Sequence, residues 1–437
     1  MSELAQQWTE AFRNGRSPAG PAWLDEIRLQ AVQQLNENGL PQRKTEAWKY
    51  TPLRMLEAMN PAICGLDGSE SEAETESTAR PGDLLESAHS IVDILDGRLA
   101  GWSCGRPGVS IVPLRQGLEL HETRLRRHVE RFDISGASRA FAALNTAFLE
   151  NGVVIHVDSQ VDAGSMLLRW AFSSQAEAGM HNFRIFLLLE HGASLQLTEQ
   201  FDDSSASGRA LNVISHLELG EAAVLDHVCV QMAPENTVLI SSSQATLAAD
   251  SRYSYAGFDL GGGLVRHDLQ AELAGDGAHA VYIGAFVLDN KRHVDNHISV
   301  DHAVPGCSSE QFFRGVLAGS SRGVFNGRAL IRAGADGSSV RQSNANLLLS
   351  GLAEMDTKPE LEIYADEVEA SHGATVGQLD ELAVFYMRSR GLSDSAARRM
   401  LTGAFCHAVT DRMEQAELAA RVAELIDEAM PSDAGSL

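Results

Sequence analysis

The chain has 437 residues, a formal net charge of −24, and 44% hydrophobic against 22% charged residues, a composition typical of a folded protein with a large core. So acidic a surface disfavours nucleic acid and anionic membranes as partners, because both bind to basic patches. The start, MSELAQQWTEAF, lacks the basic-then-apolar pattern of a signal peptide, and no apolar run approaches the roughly 20 residues that span a bilayer. We therefore expect a cytoplasmic protein.

Residues 1–64 are predicted to form an N-terminal helical segment. Leu24, Ile27 and Leu35 recur at helical spacing, and Gly39 follows as a helix stop. The helical pattern gives way to a polar and aromatic stretch, RKTEAWKYTPL, which ends shortly after a proline.

Residues 65–82, GLDGSESEAETESTARPG, are acidic and lack apolar spacing, which predicts a flexible linker. Residues 83–150 show no single pattern, and we interpret them as a mixed connecting region.

Residues 151–372 are predicted to form a β-helix core. Short apolar or alternating runs such as VVIHV, FRIFLLLE and SLQLTEQF follow one another, separated by Gly, Ser, Asn and Asp. Pairs typical of tight hairpins are rare between them, which favours stacked coils over a meander. The fold class predicted is therefore mainly β, a parallel β-helix flanked by N-terminal and C-terminal helices; a β-sandwich or barrel remains the alternative.

Residues 373–437 are predicted to form a C-terminal helical domain. One helix is expected over 378–388, and Ser393 is a suitable N-cap for a second helix that carries Met400, Leu401 and Phe405. A last helix is expected near 418–430. From the pattern alone, the apolar face of the second helix packs either on the core of this chain or on a partner.

The motifs of several enzyme classes are absent from the sequence. It contains no G-x-x-x-x-G-K-[ST] phosphate loop and no G-x-S-x-G nucleophile elbow. The cysteines are too scattered for a zinc ribbon or an iron–sulfur loop, and we expect each to be a buried, reduced thiol. They are Cys64, Cys104, Cys229, Cys307 and Cys406.

The strongest metal candidate within the chain is RHVDNHISVDH, with His293, His297, Asp301 and His302. On a strand, four residues separate His293 from His297 by roughly 13 Å. Two imidazole ligands of one ion must each lie about 2 Å from it. We therefore expect a polar, solvated sheet face here rather than a metal site.

His372 lies between Ser371 and the small residues that follow it, beginning with Gly373. A neutral imidazole can ligate iron or accept a proton. The alternative from spacing alone is a loop histidine that caps the following helix.

Several long motifs resemble one family. They are R-K-T-E-A-W-K-Y-T-P-L (43–53), F-D-L-G-G-G-L-V-R-H-D-L (258–269), R-H-V-D-N-H (292–297), F-R-G-V-L-A-G-S-S-R-G-V-F-N-G-R (313–328), N-A-N-L-L-L-S (344–350) and the segment 356–381, which contains S-H-G-A-T. Together they resemble the SufB/SufD family of the SUF iron–sulfur cluster assembly machinery. The absence of the cysteine motif expected of SufB members favours the SufD branch.

The resemblance implies a non-catalytic subunit that pairs with SufB through the β-helix and docks the ATPase SufC through its C-terminal helices. A nascent cluster would form between a SufB cysteine and the histidine of S-H-G-A-T, which makes His372 the expected cluster and iron ligand. The ATPase-docking residues we expect are Met400, Leu401 and Phe405. Relatives often carry cysteine where this chain has Ala370.

The same resemblance implies that the isolated chain binds no cofactor. It would share a transient iron–sulfur cluster with SufB, and reduced flavin would belong to the complex. The alternative from the fold class is a β-helix enzyme that acts on polysaccharides, which would need an export signal and exposed aromatic side chains. Aromatic residues make up only 6% of the chain.

Overall fold

The structure is a computed structural model, and it describes residues 3–15, 20–64, 77–130, 139–173, 178–202 and 208–431. Most of the predicted acidic linker, residues 65–76, lies outside the described residues. Among the described helices, none is long and apolar enough to cross a membrane.

Within the described residues, a group of helices, a group of strands and a second group of helices precede the long run of strands, and a last group of helices follows it. The helices are α1 (Glu3–Asn14), α2 (Ala22–Asn38), α3 (Arg54–Met59), α4 (Leu114–Leu120), α5 (Glu122–Glu130), α6 (Arg139–Ala147), α7 (Glu381–Ser389), α8 (Asp394–Thr410) and α9 (Ala416–Ala429), with a 3₁₀ turn at Glu46–Trp48. The strands are β1 (Ser90–Leu95), β2 (Arg98–Cys104), β3 (Val109–Pro113), β4 (Gly152–Val157), β5 (Asp162–Ala171), β6 (Met180–Leu189), β7 (Ser194–Asp202), β8 (Arg209–Leu219), β9 (Val224–Gln231), β10 (Thr237–Leu247), β11 (Arg252–Asp259), β12 (Leu264–Leu273), β13 (His279–Leu288), β14 (His293–His302), β15 (Ser308–Leu317), β16 (Arg322–Ile331), β17 (Ser338–Leu348), β18 (Glu354–Ile363) and β19 (Val368–Gly377).

The described strands form two facing sheets, and from β4 onward consecutive strands alternate between them. One sheet has the order β19-β17-β15-β13-β11-β9-β7-β5-β1-β2, and the other has the order β18-β16-β14-β12-β10-β8-β6-β4-β3. Pairing is parallel except at β2 and β3, which join the N-terminal end antiparallel. Leu264 pairs with His293 and His293 with Arg322, a step of 29 residues per coil in each case. The predicted parallel β-helix is confirmed.

The main core lies between the two sheets, and helices cover part of both outer faces. Every residue of β6 is buried, which agrees with its largely apolar sequence MHNFRIFLLL. The N-terminal helices pack on the β6–β12 side of one sheet through residues such as Trp8 and Trp48. The C-terminal helices pack on the other sheet through residues such as Val409 and Val422.

The predicted N-terminal stop signal is confirmed, since α2 ends at Asn38 and Gly39 follows with φ of 66°. Beyond it, the RKTEAWKYTPL segment holds the N-terminal part on the solenoid. Arg266 is fully buried under this segment, 4.1 Å from the ring centre of Trp48, and it donates to the Ala47 carbonyl at 2.9 Å. The guanidinium pairs with Asp268 at 2.8 Å and with Asp295.

The positive charge of Arg266 keeps the Asp295 carboxyl group ionised. Burial by itself would raise the pKa of Asp295, but the Arg266 guanidinium holds that pKa well below its usual range. The Thr51 hydroxyl also donates to Asp295. The carboxylate is therefore ionised and paired inside the protein.

The prediction of a solvated sheet face at 293–302 is wrong for the part around Asp295, whereas Asp301 on the same face pairs with Arg332 at the surface. His293, Asp295 and His297 do share the outer face of β14, but the Thr45–Thr51 segment covers it, and Asp295 is only 1% exposed. His302 lies on the interior face and bonds to Ser309 at 2.8 Å. No group of three or more metal-ligating side chains occurs in the part of the chain that the structure describes.

Arg266→Ala should lower the free energy of unfolding by about 3–5 kcal/mol, because it leaves two buried carboxylates without their cation. Chemical denaturation measures this loss. Arg332→Ala is the matched control, since Arg332 pairs with Asp301 and Glu272 at the surface, where such pairs contribute about 1 kcal/mol or less. Equal losses for the two variants would contradict the role given to Arg266.

Candidate site at the open end of the solenoid

The last coil of the solenoid, β18 and β19, has no further coil on it within the described residues. Each strand pairs with only one neighbour there, β16 and β17 respectively. An edge strand exposes a row of backbone N–H and C=O groups that can pair with another chain. Apolar side chains are also exposed around this end: Leu352, Ile363, Tyr364 and Val376 are between 40% and 73% accessible. We call this surface the open end.

His372 lies in the middle of β19, in register with Gln342 of β17. Gln342 is buried, and its side chain reaches the Gly327 carbonyl of the opposite sheet, which places it on the interior face. Residues paired in a parallel sheet project from the same face. His372 therefore belongs to the interior row, and it is exposed because no coil follows.

His372 does not cap a helix, so the alternative drawn from spacing is wrong. Strand β19 continues five residues beyond it to Gly377, and the first C-terminal helix begins at Glu381. The carboxylate of Asp380 caps that helix by accepting from the Leu382 N–H at 2.9 Å. The expected start of the helical domain at 373 falls inside the strand.

The N-A-N motif anchors β19 from the strand behind it. Asn346 donates to the Thr375 carbonyl at 3.1 Å and to the Asn344 side chain at 2.6 Å. The Thr357 hydroxyl of β18 donates to the same Asn344 oxygen at 2.9 Å. These buried amides tie the two edge strands together next to His372.

His372 alone cannot hold an iron ion, since iron takes several ligands. Ala370, on the same interior row two residues earlier, offers no ligand atom. Burial raises the pKa of Cys406 to about 12, so that thiol is no thiolate ligand. Three of the cysteines are buried as expected, whereas Cys64 is half-buried and Cys104 is exposed.

The C-terminal helices carry a second exposed surface. Ser393 caps α8 as predicted, since its hydroxyl accepts from the Ala396 N–H at 3.2 Å. Met400 on α8 is 59% accessible, and α7 packs inward through Val384 while its apolar face is open. We call the exposed apolar residues of these two helices the helical patch: Leu382, Phe385, Tyr386 and Met400.

The other two predicted docking residues are less accessible. Leu401 is partly buried, and Phe405 packs against the cluster beneath the C-terminal helices, with the Arg314 guanidinium 5.8 Å from its ring centre. The one-sided apolar pattern of α7 was visible in the sequence. It could not show that this side faces solvent, so Leu382 and Phe385 were missed as surface residues.

A cavity of about 540 Å³ separates the loop after α8 from the outer sheet face. Asp226 lines it, and burial together with the nearby Glu414 carboxylate raises the pKa of Asp226 to about 6. The other ionisable side chains around the cavity include His227, Arg252, His279, Glu310 and Arg412.

Asp226→Asn should raise the melting temperature at pH 7.5 by about 1–3 °C. The folded protein binds an extra proton at Asp226 between the ordinary carboxylate pKa and about 6, so stability falls as pH rises through that window and stays lower above it. The advantage of the variant should therefore shrink as pH falls towards 4. Glu221→Gln, an exposed carboxylate, is the control; a pH-independent gain in Asp226→Asn would refute the assignment.

The described chain is a two-sheeted parallel solenoid with an uncovered last coil and helices on its outer faces. Residues 172–405 match the family model described as SUF system FeS cluster assembly, SufBD core domain. The chain is 30% identical to the iron–sulfur cluster assembly protein SufD of Escherichia coli, with 99% of this chain and 98% of that protein covered. The chain belongs to the SufB/SufD family.

Further relatives agree over most of their length. A SufBD family protein of Synechocystis is 25% identical, covering 91% of this chain and 89% of that protein. The SufD protein of Bacillus subtilis is 22% identical, covering 90% and 91%. The predicted likeness to the SufD branch is confirmed, and family membership indicates a role in iron–sulfur cluster assembly.

Proposed function

We propose that this chain is a non-catalytic subunit of the SUF assembly complex, which pairs with SufB, docks SufC and supplies one imidazole to a cluster built between the subunits. The observation that carries the proposal is the position of His372. It lies on the interior row of a solenoid at the coil where that row opens to solvent.

Pairing with SufB at the open end would satisfy the unpaired strand edges and bury the exposed apolar side chains, both of which are unfavourable in water. The edges of β18 and β19 offer backbone groups that a strand of another chain can satisfy. The exposed apolar groups, such as Ile363 and Val376, would be buried by the same contact. A solenoid of the same family has a matching strand spacing.

In this proposal the cluster is the product that the complex assembles, and this chain contributes the His372 imidazole as one ligand. A neutral imidazole binds iron through its unprotonated nitrogen. The thiolate ligands would come from SufB, as the resemblance implies, since the row beside His372 carries Ala370 and Ala374. Reduced flavin is assigned to the complex and to no residue of this chain.

His372→Ala should lower the iron and sulfide bound to the co-expressed complex by about tenfold or more, because a metal ligand is lost. The complex with SufB and SufC, purified anaerobically, should keep its stoichiometry, since the side chain is exposed. His191→Ala, an exposed histidine on another turn of the solenoid, is the control. A normal iron and sulfide content in His372→Ala would contradict the proposed ligand role. Dissociation of the complex would indicate a structural role instead.

Docking of SufC is proposed for the C-terminal helices. The helical patch exposes four large apolar side chains on α7 and α8, and such clusters mark sites of protein contact. Leu401 adjoins it, and Phe405 supports it from below by packing on the solenoid. Met400 is 59% accessible, so a charge at this position should disturb the contact with little effect on folding.

Met400→Glu should weaken binding of SufC by about tenfold, because a charge would be buried in an apolar contact. Isothermal titration of SufC into the purified chain measures the change. Leu29→Glu on α2 is the matched control, since Leu29 is 61% accessible against 59% for Met400. Unchanged affinity for Met400→Glu, or an equal loss for Leu29→Glu, would remove the helical patch from the docking surface.

A further inference from the structure

A column of polar side chains runs along the interior of the ten-stranded sheet and ends at His372. Each member pairs in register with the next on the neighbouring strand of that sheet, at the strand spacing of about 4.8 Å. The column is His227, Tyr255, Tyr282, Gln311, Gln342 and His372. His372 is its exposed end, and Gln342 is the residue directly behind it.

One hydrogen bond fixes the orientation of the Gln342 side-chain amide, but the amide oxygen has no partner among the described residues. Its Nε2 donates to the Gly327 carbonyl at 3.2 Å, which identifies the other amide atom as the oxygen. That Oε1 has no hydrogen-bond partner among the described residues, although Gln342 is only 5% accessible. A buried acceptor without a partner is destabilising, so such atoms call for an explanation.

On the interior rows of β17 and β19, no other described side chain next to His372 has an acceptor without a partner. On β19, Ala370 and Ala374 flank it, and on β17 Gln342 lies between Val340 and Asn344. The Asn344 oxygen already accepts from Asn346 and Thr357. The free oxygen of Gln342 is therefore the acceptor that the fold presents to the imidazole.

We infer that Gln342 is a positioning residue for His372: its Oε1 accepts a hydrogen bond from the protonated ring nitrogen of His372. A neutral imidazole has one N–H and one unprotonated nitrogen, so fixing the first determines which nitrogen is free to bind an electrophile. Metal-binding histidines are commonly oriented by such an acceptor on the far side of the ring. That the unprotonated nitrogen faces iron rests on the proposed function. The inferred hydrogen bond between His372 and Gln342 is independent of that function.

The tautomer of His372 tests the inference without any cluster present. The isolated full-length chain, labelled with ¹⁵N-histidine, gives ring-nitrogen NMR signals that distinguish N–H from unprotonated nitrogen, and His372→Ala assigns them. Gln342→Met keeps the length of the side chain and removes the acceptor oxygen, so the ratio of the two tautomers should change by about twofold or more. Gln342→Glu keeps an acceptor oxygen, so the tautomer that donates to residue 342 should remain the favoured one.

Gln311→Met is the matched control. Gln311 is also buried, its Nε2 donates to the Arg328 carbonyl, and its Oε1 also lacks a partner in the described part of the chain. It lies one coil further from His372. It should leave the His372 signals unchanged. An unchanged ratio in Gln342→Met, or the same change in Gln311→Met, would overturn the inference.

A measurement on the wild-type chain covers the case in which Gln342→Met fails to fold. The ring N–H proton of His372 should show a nuclear Overhauser contact to the side-chain protons of Gln342, and its absence would overturn the inference. Cluster content gives a separate result. If His372→Ala retains normal iron and sulfide while the NMR change is present, the proposed ligand role fails and the positioning role stands.

Discussion

In-register parallel pairing is the constraint on which the rest of this structure depends. Because neighbouring coils place equivalent positions directly above one another, each inward position becomes one member of a row that runs the length of the solenoid. A slip of one residue would move every interior side chain to the outer face. The same register that packs Phe286 and Phe313 in the core therefore also decides that His372 belongs to the interior row.

A buried ion-pair cluster on the outer face of one sheet holds the N-terminal segment in place. Arg266 projects from β12 beneath the N-terminal segment and is neutralised by Asp268 and Asp295, with Trp48 stacked over its guanidinium. Removing water from such a group is costly, so the segment that covers it must supply matching partners. This explains why the RKTEAWKYTPL segment is aromatic and polar, although it lies more than 200 positions from the strands it contacts.

Local patterns in the sequence predicted much of the fold, because they depend on nearby residues. The stop at Gly39, the cap at Ser393 and the succession of strands are all properties of short segments. The environment of the 293–302 face was not predictable in this way, since it depends on Thr51, more than 240 positions away in the chain. His372 was recognised from its motif, but its place inside a strand depends on the pairing of β19 with β17.

The hydrogen-bond acceptor next to His372 is a second feature that the sequence alone could not predict. Gln342 has no motif and no helical or strand signature of its own, and its significance arises only when register places it beside an imidazole and its amide nitrogen is already used. An interior row that ends in solvent is unstable by itself, because it leaves apolar groups and backbone edges exposed. Here Ile363, Val376 and two strand edges stay uncovered by any described residue. A second chain that covers them would bring its own side chains within reach of His372, the imidazole at the exposed end of the row.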